Sequence, residues 1–198
     1  MSLVLIEKVL KEKGILESSE IDMMDWKSYF HFIKYFEERE NITEHDLIIG
    51  ANFTYGWMPT IFHFKSENFS DVVSILNKAK NETNQNKLSN FELIKVKELL
   101  NNSFVGASKL LHFIKPTDYP IWDSRTCNCM NLLSEKKFKV EKVESFKEYV
   151  EFCRELVKNE KFNEIHDNFV KKFDFPVSRL RTAEQIMFLY GKRANHKK

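Results

Sequence analysis

Residues 98–123 of the chain read ELLNNSFVGASKLLHFIKPTDYPIWD, and this stretch carries the clearest structural information in the sequence. It predicts one helix that ends near Asn101, a short turn that contains Gly106, and a second helix that runs through Lys115. Such a pair of helices forms a hairpin. The backbone N–H groups at the start of the second helix, with the positive end of the helix dipole behind them, can bind a phosphate.

A loop bracketed by Pro116 and Pro120 follows the hairpin and leads to Asp123. Asp123 precedes a helical stretch that we predict from Ser124 to Ser134, so it is placed to cap that helix. An aspartate cap stabilises a helix by about 1 kcal/mol, and capping alone would explain the residue. The alternative is that the same carboxylate also takes part in chemistry.

This order of elements resembles the DNA glycosylases of the helix-hairpin-helix, Gly/Pro-rich loop, Asp superfamily, and most closely their adenine glycosylase branch. Val105 and Gly106 match the Val-Gly of the hairpin turn, residues 109–114 match its second helix, and residues 119–123 resemble the aromatic-Pro-Ile-apolar-Asp ending. The resemblance is confined to residues 98–123. Phe104 departs from it, because the hairpin of the family usually has a glycine there.

The resemblance implies a DNA-repair hydrolase that binds double-stranded DNA and uses Asp123 as its catalytic carboxylate, without a metal or another cofactor. Ser108 falls where bifunctional members keep a nucleophilic lysine, which favours a monofunctional N-glycosylase. A shift of one residue would instead make Lys109 a catalytic candidate. Val105, Gly106, Ser108 and Arg125 are the residues that we expect to bind nucleic acid.

Breaking the bond between a base and its sugar builds positive charge on the sugar, and an ionised carboxylate stabilises that charge. An aromatic pocket would stack the base after it has rotated out of the duplex. Phe53, Tyr55 and Trp57 are the candidates, because they lie in residues 51–60, which Gly56 and Pro59 mark as an irregular bend. A bend of this kind can equally pack a loop onto the core.

Phosphate contacts have several further candidates outside the hairpin turn. His112, Lys109 and Arg125 are among them, although a histidine on a helix is more often part of the core and Arg125 would also suit a surface ion pair. The C-terminal residues 171–198 contain eight Lys or Arg but only two acidic residues. This basic end either contacts phosphates or is a solvated end.

The remainder of the chain predicts an all-α fold. With 5 Gly and 4 Pro in 198 residues, helices are favoured over many short strands. Apolar residues recur at helical spacing in several segments, namely 26–36, 69–76, 146–157 and 162–173. We expect one domain over residues 1–198 with roughly eight to ten helices. It would form lobes of about 1–85 and 86–198 around a cleft that the hairpin and Asp123 face.

The sequence leaves the function open between an enzyme and a binding protein. Three cysteines, of which Cys127 and Cys129 form a pair without further ligands, indicate reduced thiols in a cytoplasm rather than a metal site. No window approaches the roughly 20 apolar residues of a membrane span. A non-catalytic module for nucleic acid or protein is one alternative, favoured by Phe104. A homo-oligomer formed through a Phe-rich surface is the other, favoured by the net charge of only +2.

Overall fold

The computed structural model of the protein describes residues 3–17, 23–58, 60–81 and 88–195. Within these residues the chain forms eleven helices and no β-strand, and one isolated antiparallel bridge joins Phe64 to Leu100. The helices are α1 Leu3–Lys11, α2 Gly14–Glu17, α3 Met23–Glu37, α4 Glu44–Gly56, α5 Phe69–Asn81, α6 Asn90–Leu99, α7 Phe104–Ile114, α8 Ser124–Leu133, α9 Val143–Lys158, α10 Lys161–Val170 and α11 Arg179–Asn195. The all-α prediction is confirmed, with the single-turn α2 among the helices.

The chain divides into two compact units. The central unit is Asp22–Tyr119, and the terminal unit combines Met1–Ile21 with Pro120–Lys198. This division differs from the expected lobes of about 1–85 and 86–198, because α5 and α6 belong to the same unit and pack against each other. An ion pair of 2.8 Å between Lys78 Nζ and Glu92 Oε1 links them. Residues 82–87 of the expected boundary lie outside the described part of the chain.

The central unit is built around α7, which packs on α3, α4, α5 and α6. Apolar residues occupy almost the whole circumference of this helix, and a helix of that kind is stable only when neighbours surround it. Leu110, Leu111 and Phe113 are each completely buried. The hydrophobic pattern after the hairpin turn therefore forms the core of the unit.

The terminal unit contains an unusually close approach between α8 and α11 at Gly191. The sequence predicts a last helix from about Ser178 to Tyr190, with Gly191 as the residue that ends it. In the structure α11 continues to Asn195, and Gly191 does not adopt a positive φ. A Cβ atom at this position would lie only 2.0 Å from the carbonyl oxygen of Arg125 in α8. Glycine is therefore required by helix packing, and the side-chain amide of Asn128 also donates to Gly191 O at 2.9 Å.

Capping boxes define where several helices begin. Thr43 pairs with Asp46 at the start of α4, and Ser89 pairs with Glu92 at the start of α6. The carboxylate of Asp46 also accepts hydrogen bonds from Tyr35 Oη and Arg39 Nε, both at 2.8 Å. None of the helices within the described residues has the length and apolar character to cross a membrane.

Candidate functional site

Asp123 caps the N-terminus of α8, as the sequence predicted. Its Oδ1 accepts hydrogen bonds from the backbone N–H groups of Arg125 and Thr126, each at 2.9 Å. Thr126 Oγ1 completes the capping box by accepting from the backbone N–H of Asp123, also at 2.9 Å. The residue as a whole is half-buried.

The two oxygens of this carboxylate have different surroundings. Every hydrogen bond that the Asp123 carboxylate makes with the described residues goes to Oδ1, including one of 3.3 Å from Thr126 Oγ1. No hydrogen bond from those residues reaches Oδ2. An ionised carboxylate has about four lone-pair positions, so a capping Asp123 still has acceptor capacity for a further group.

The segment that carries Asp123 is fixed from both sides. Trp122 is completely buried, and its indole Nε1–H donates to Val140 O at 2.9 Å. Tyr149 Oη–H donates to Ile121 O at 2.9 Å, and the ring of Tyr149 packs on the Trp122 ring with centroids 4.8 Å apart. Burial raises the pKa of Tyr149 well above its ordinary value, so the phenol keeps the proton that it donates. Asp123 is therefore held on a rigid support.

Arg125 lies in the first turn of α8 and is exposed. Its guanidinium packs over the ring of Phe188 in α11, at 4.5 Å from the ring centroid. It forms no ion pair with the described residues, so the surface ion pair that the sequence left open is absent from that part of the chain. Asp123 and Arg125 are the two expected site residues in the terminal unit, and all the others lie in the central unit.

The turn between α6 and α7 differs from the expected hairpin turn. Asn101 and Asn102 adopt the left-handed conformation, with φ of 55° and 53°, and Ser103 caps α7 by accepting from the N–H of Gly106. Gly106 lies inside the first turn of α7 and has no positive φ. The prediction that the turn contains Gly106 is wrong, because asparagine is the non-glycine residue that best tolerates this conformation.

Gly106 has a steric role instead. A Cβ atom at this position would lie 2.4 Å from the hydroxyl oxygen of Tyr55. That hydroxyl is buried and donates to Leu100 O at 2.7 Å, at the end of α6. Gly106 thus allows the Tyr55 ring to lie between α7 and the turn that precedes it.

A groove of about 440 Å³ borders this turn within the central unit. One side is the extended segment 60–65, in which the exposed Ile61, His63 and Lys65 alternate with half-buried Phe62 and Phe64. The other side is the start of α7. This alternation is visible in the sequence as a short pattern of period two, although none of the sequence predictions includes it.

Asn101 joins the two sides of the groove. Its side-chain amide donates to Ile61 O at 2.9 Å, and its Oδ1 accepts from the backbone N–H of His63 at 3.1 Å. The backbone N–H of Lys65 donates to Leu99 O at 3.2 Å. The segment is therefore attached to the end of α6, and the His63 and Lys65 side chains line the groove beside Val105.

Among the α7 candidates, Val105 and Lys109 are half-buried and Ser108 is completely buried. The hydroxyl of Ser108 donates to Val105 O at 3.1 Å inside the helix, so it does not reach solvent in this conformation. Lys109 Nζ donates to Trp57 O at 3.4 Å and lies 5.1 Å from the centroid of the Trp57 ring. Lys109 is therefore engaged at the end of α4.

Phe53 and Tyr55 lie in helix α4 and Trp57 caps its C-terminus, whereas the sequence predicted an irregular bend over residues 51–60. Helix α4 extends to Gly56, because its buried face, with Leu47, Ala51 and Tyr55, packs into the unit and outweighs the local turn signals. Phe53 and Trp57 are four residues apart and share a face, on which both remain half-buried. Tyr55 is on another face and is buried against the hairpin turn, so the three rings do not line one pocket.

Phe53 and Trp57 belong to an aromatic cluster of the central unit. Phe53 stacks on Phe32 with centroids 4.4 Å apart and an interplanar angle of 1°. Phe113 of α7 packs edge-on to Phe53 and lies 5.6 Å from the Trp57 ring. The half-buried members Phe32, Phe53 and Trp57 give this cluster an aromatic surface that water reaches in part.

His112 is completely buried in the central unit and does not contact solvent. Its Nδ1 lies 2.6 Å from Tyr119 O, and because a carbonyl only accepts, Nδ1 must carry a proton. Its Nε2 lies 2.9 Å from Tyr29 Oη, so in a neutral ring Nε2 accepts from that hydroxyl. His112 is thus a core histidine, which is the interpretation that the sequence favoured over a phosphate contact.

The three cysteines are free and buried. Burial, with a smaller contribution from Asp123, raises the pKa of Cys127 to about 11. Burial also raises the pKa of Cys129 and Cys153 above that of an ordinary thiol. The thiols are therefore poor nucleophiles at neutral pH. No group of three or more metal-ligating side chains that could hold an ion occurs in the described part of the chain.

Comparison with known proteins adds no relative to these observations. No protein-family model, curated protein or solved structure matches the chain.

Proposed function

We propose that the protein binds DNA and hydrolyses the N-glycosidic bond of a nucleotide, with Asp123 as the catalytic carboxylate. The observation that carries this proposal is that the two oxygens of that carboxylate have different hydrogen-bond partners. Oδ1 caps α8, whereas Oδ2 accepts no hydrogen bond from the described residues and belongs to a half-buried side chain. A carboxylate that is held in place and still has an acceptor oxygen can stabilise a developing positive charge.

The proposed reaction uses water and no other reagent. The bond between the base nitrogen and C1′ of the sugar breaks, its electron pair leaves with the base, and positive charge develops on the sugar. Asp123 stabilises this charge and orients a water molecule. The water oxygen then bonds to C1′, one of its protons passes to Asp123 and from there to solvent, and the released base takes a proton from solvent.

Two features of the central unit support nucleic acid as the ligand. The groove beside the hairpin turn combines the exposed side chains of Lys65 and His63 with the start of α7, and phosphates bind to such groups. The half-buried rings of Phe53 and Trp57 offer an aromatic surface on which a base can stack. Lys109, placed at Trp57, would add a positive charge next to that surface.

The alternative is a non-catalytic binding module, and the complete capping box is the observation that favours it. Two backbone N–H groups and the Thr126 hydroxyl already give Asp123 a structural role. Removing such a cap costs about 1 kcal/mol, which is enough to explain the residue without catalysis.

Asp123→Asn separates the two functions. Asparagine caps a helix about as well as aspartate, so the variant keeps α8 and removes only the negative charge. The test measures base release from a panel of duplexes that contain damaged or mismatched bases. We expect the wild-type protein to release one of these bases and Asp123→Asn to release it at least about 100-fold more slowly.

Asp167→Asn is the matched control, because Asp167 is an exposed residue of the same unit and the charge change is identical. Its rate should equal that of the wild type. Equal rates for Asp123→Asn and the wild type would exclude Asp123 as the catalytic residue. Duplex binding without base release from any substrate in the panel would support the binding module instead.

A further inference from the structure

The terminal unit presents three exposed basic side chains on α8 and α11, two helices that pack closely at the first turn of α8, which Asp123 caps. We infer that these side chains bind the phosphates that flank a nucleotide at Asp123. The α8/α11 basic patch consists of Arg125 in α8 and of Lys192 and Arg193 in α11. The inference rests on the proposed function, because a nucleic acid is the ligand. The residues of this patch all belong to the terminal unit, whereas the hairpin and its groove belong to the central unit.

Helix packing brings this patch together. At Gly191 the backbone of α11 approaches α8 so closely that a Cβ atom would meet Arg125 O at 2.0 Å. Asn128 Nδ2 donates to Gly191 O at 2.9 Å and fixes this register. Lys192 and Arg193 directly follow Gly191 and are exposed. Within the basic end, which the sequence left open between phosphate contact and a solvated end, Lys192 and Arg193 therefore follow directly on the residue that packs against the first turn of α8.

Arg125 is oriented for contact with a ligand. Its guanidinium rests on the ring of half-buried Phe188, one helical turn before Lys192. A guanidinium held on an aromatic face loses less conformational entropy on binding than one on a mobile side chain, and its N–H groups remain available at the edge. Neither Arg125 nor Lys192 forms an ion pair with the described residues, so no carboxylate there neutralises them.

The chemistry of a nucleotide matches this arrangement. A nucleotide within a strand carries a phosphate on either side of its sugar, and these phosphates are the charges closest to the sugar. When C1′ is presented to Asp123, the flanking phosphates come with it. These phosphates need positively charged donors. The donors are Arg125, two residues from Asp123, and Lys192 and Arg193, which follow Gly191.

The salt dependence of DNA binding tests the inference. Fluorescence anisotropy with a labelled 20-base-pair duplex, about two helical turns long, gives the slope of log K against log salt concentration. Each phosphate contact contributes about 0.9 to the magnitude of that slope. We expect the variant K192Q/R193Q to lower it by about 2, and the further change Arg125→Gln to lower it by about 1 more.

The control is K137Q/K139Q, which removes the same charge from two exposed lysines that follow the opposite end of α8. Its slope should stay within experimental error of the wild type. All the substituted side chains are exposed, and circular dichroism checks that each variant is folded.

Three results would overturn the inference. The first is an equal slope for K192Q/R193Q and K137Q/K139Q, which leaves the proposed function intact if Asp123→Asn abolishes base release. The second is that the wild-type protein binds neither duplex nor single-stranded DNA at low salt. If only the proposed function fails, the protein instead binds DNA without releasing a base. The third is binding only to vesicles that contain phosphatidylserine, which would assign the patch to a membrane surface.

Discussion

Replacing Gly191 by alanine should destabilise the protein, although alanine is the better helix former. The added Cβ would lie 2.0 Å from the carbonyl oxygen of Arg125 and 2.8 Å from its carbonyl carbon. Both are backbone atoms, so no side chain can rotate away from the new methyl group. An ordinary contact begins near 3.4 Å, so α8 and α11 must separate locally by the difference, 3.4 − 2.0 = 1.4 Å.

The expected magnitude combines three contributions. Overpacking of this kind costs about 1–3 kcal/mol. Separation of the helices also breaks the hydrogen bond of 2.9 Å from Asn128 to Gly191 O, worth about 1 kcal/mol. The higher helix propensity of alanine returns about 1 kcal/mol. The net loss is therefore about 1–3 kcal/mol of unfolding free energy.

Urea unfolding followed by circular dichroism at the helix band measures this loss. With a slope of about 2 kcal/mol per molar urea, the midpoint should fall by about 0.5–1.5 M. Gly14→Ala is the matched control, because Gly14 lies in the same unit and no atom lies within 4 Å of its Cβ position. Its midpoint should be unchanged or slightly higher, since alanine reduces the entropy of the unfolded chain. A Gly191→Ala protein as stable as Gly14→Ala would refute the close packing of α8 and α11.

Three further predictions concern other parts of the chain. Gly106→Ala should destabilise the protein less in a Tyr55→Phe background than in the wild type, because the Tyr55 hydroxyl is the atom nearest to the new methyl group. Additive effects of the two substitutions in a double-mutant cycle would contradict this contact. Burial tends to raise the pKa of Asp46, but hydrogen bonds from Thr43, Tyr35 and Arg39 hold it well below its usual range. The stabilisation of the folded protein by these hydrogen bonds to ionised Asp46 should be complete above the unfolded-state pKa of about 3.9. It should be lost as the pH falls through the lower folded-state pKa. Unfolding midpoints of wild type and Asp46→Asn should therefore converge in acid, and a constant difference would contradict the network. Finally, Ellman's reagent at pH 7.5 should label no cysteine of the folded protein and all three in denaturant, and rapid labelling of the folded protein would show that the thiols are not buried.

Local patterns in the sequence predicted the helices and the cap of the candidate site. The periodicity of apolar residues predicted an all-α chain, and the residue preceding Ser124 was correctly assigned as the cap of α8. Both features depend on residues close together in sequence. The additional possibility of chemistry at Asp123 also came from the local sequence, and it stays a prediction.

The errors concern features that depend on distant parts of the chain. Gly106 and Gly191 were interpreted as a turn residue and a helix end, but each is required by a partner far away in sequence, Tyr55 in one case and Arg125 in the other. Residues 51–56 contain turn-forming types and are nevertheless helical, because burial of one face of α4 outweighs local preference. The α8/α11 basic patch could not be predicted from the sequence either, because only helix packing brings the segment of α11 at Lys192 to the start of α8.

The division of the chain has a consequence for how the protein is made on the ribosome. The central unit, Asp22–Tyr119, is continuous, so it can fold as soon as it has emerged. Helix α1 cannot yet pack, because its partners are residues that are synthesised later. Lys8 contacts Leu133, and Glu7 contacts Lys161. At about 5–20 residues per second, residues 120–198 take about 4–16 s to synthesise. During those seconds the apolar side chains of α1 are exposed on a nascent chain, where a chaperone can bind them.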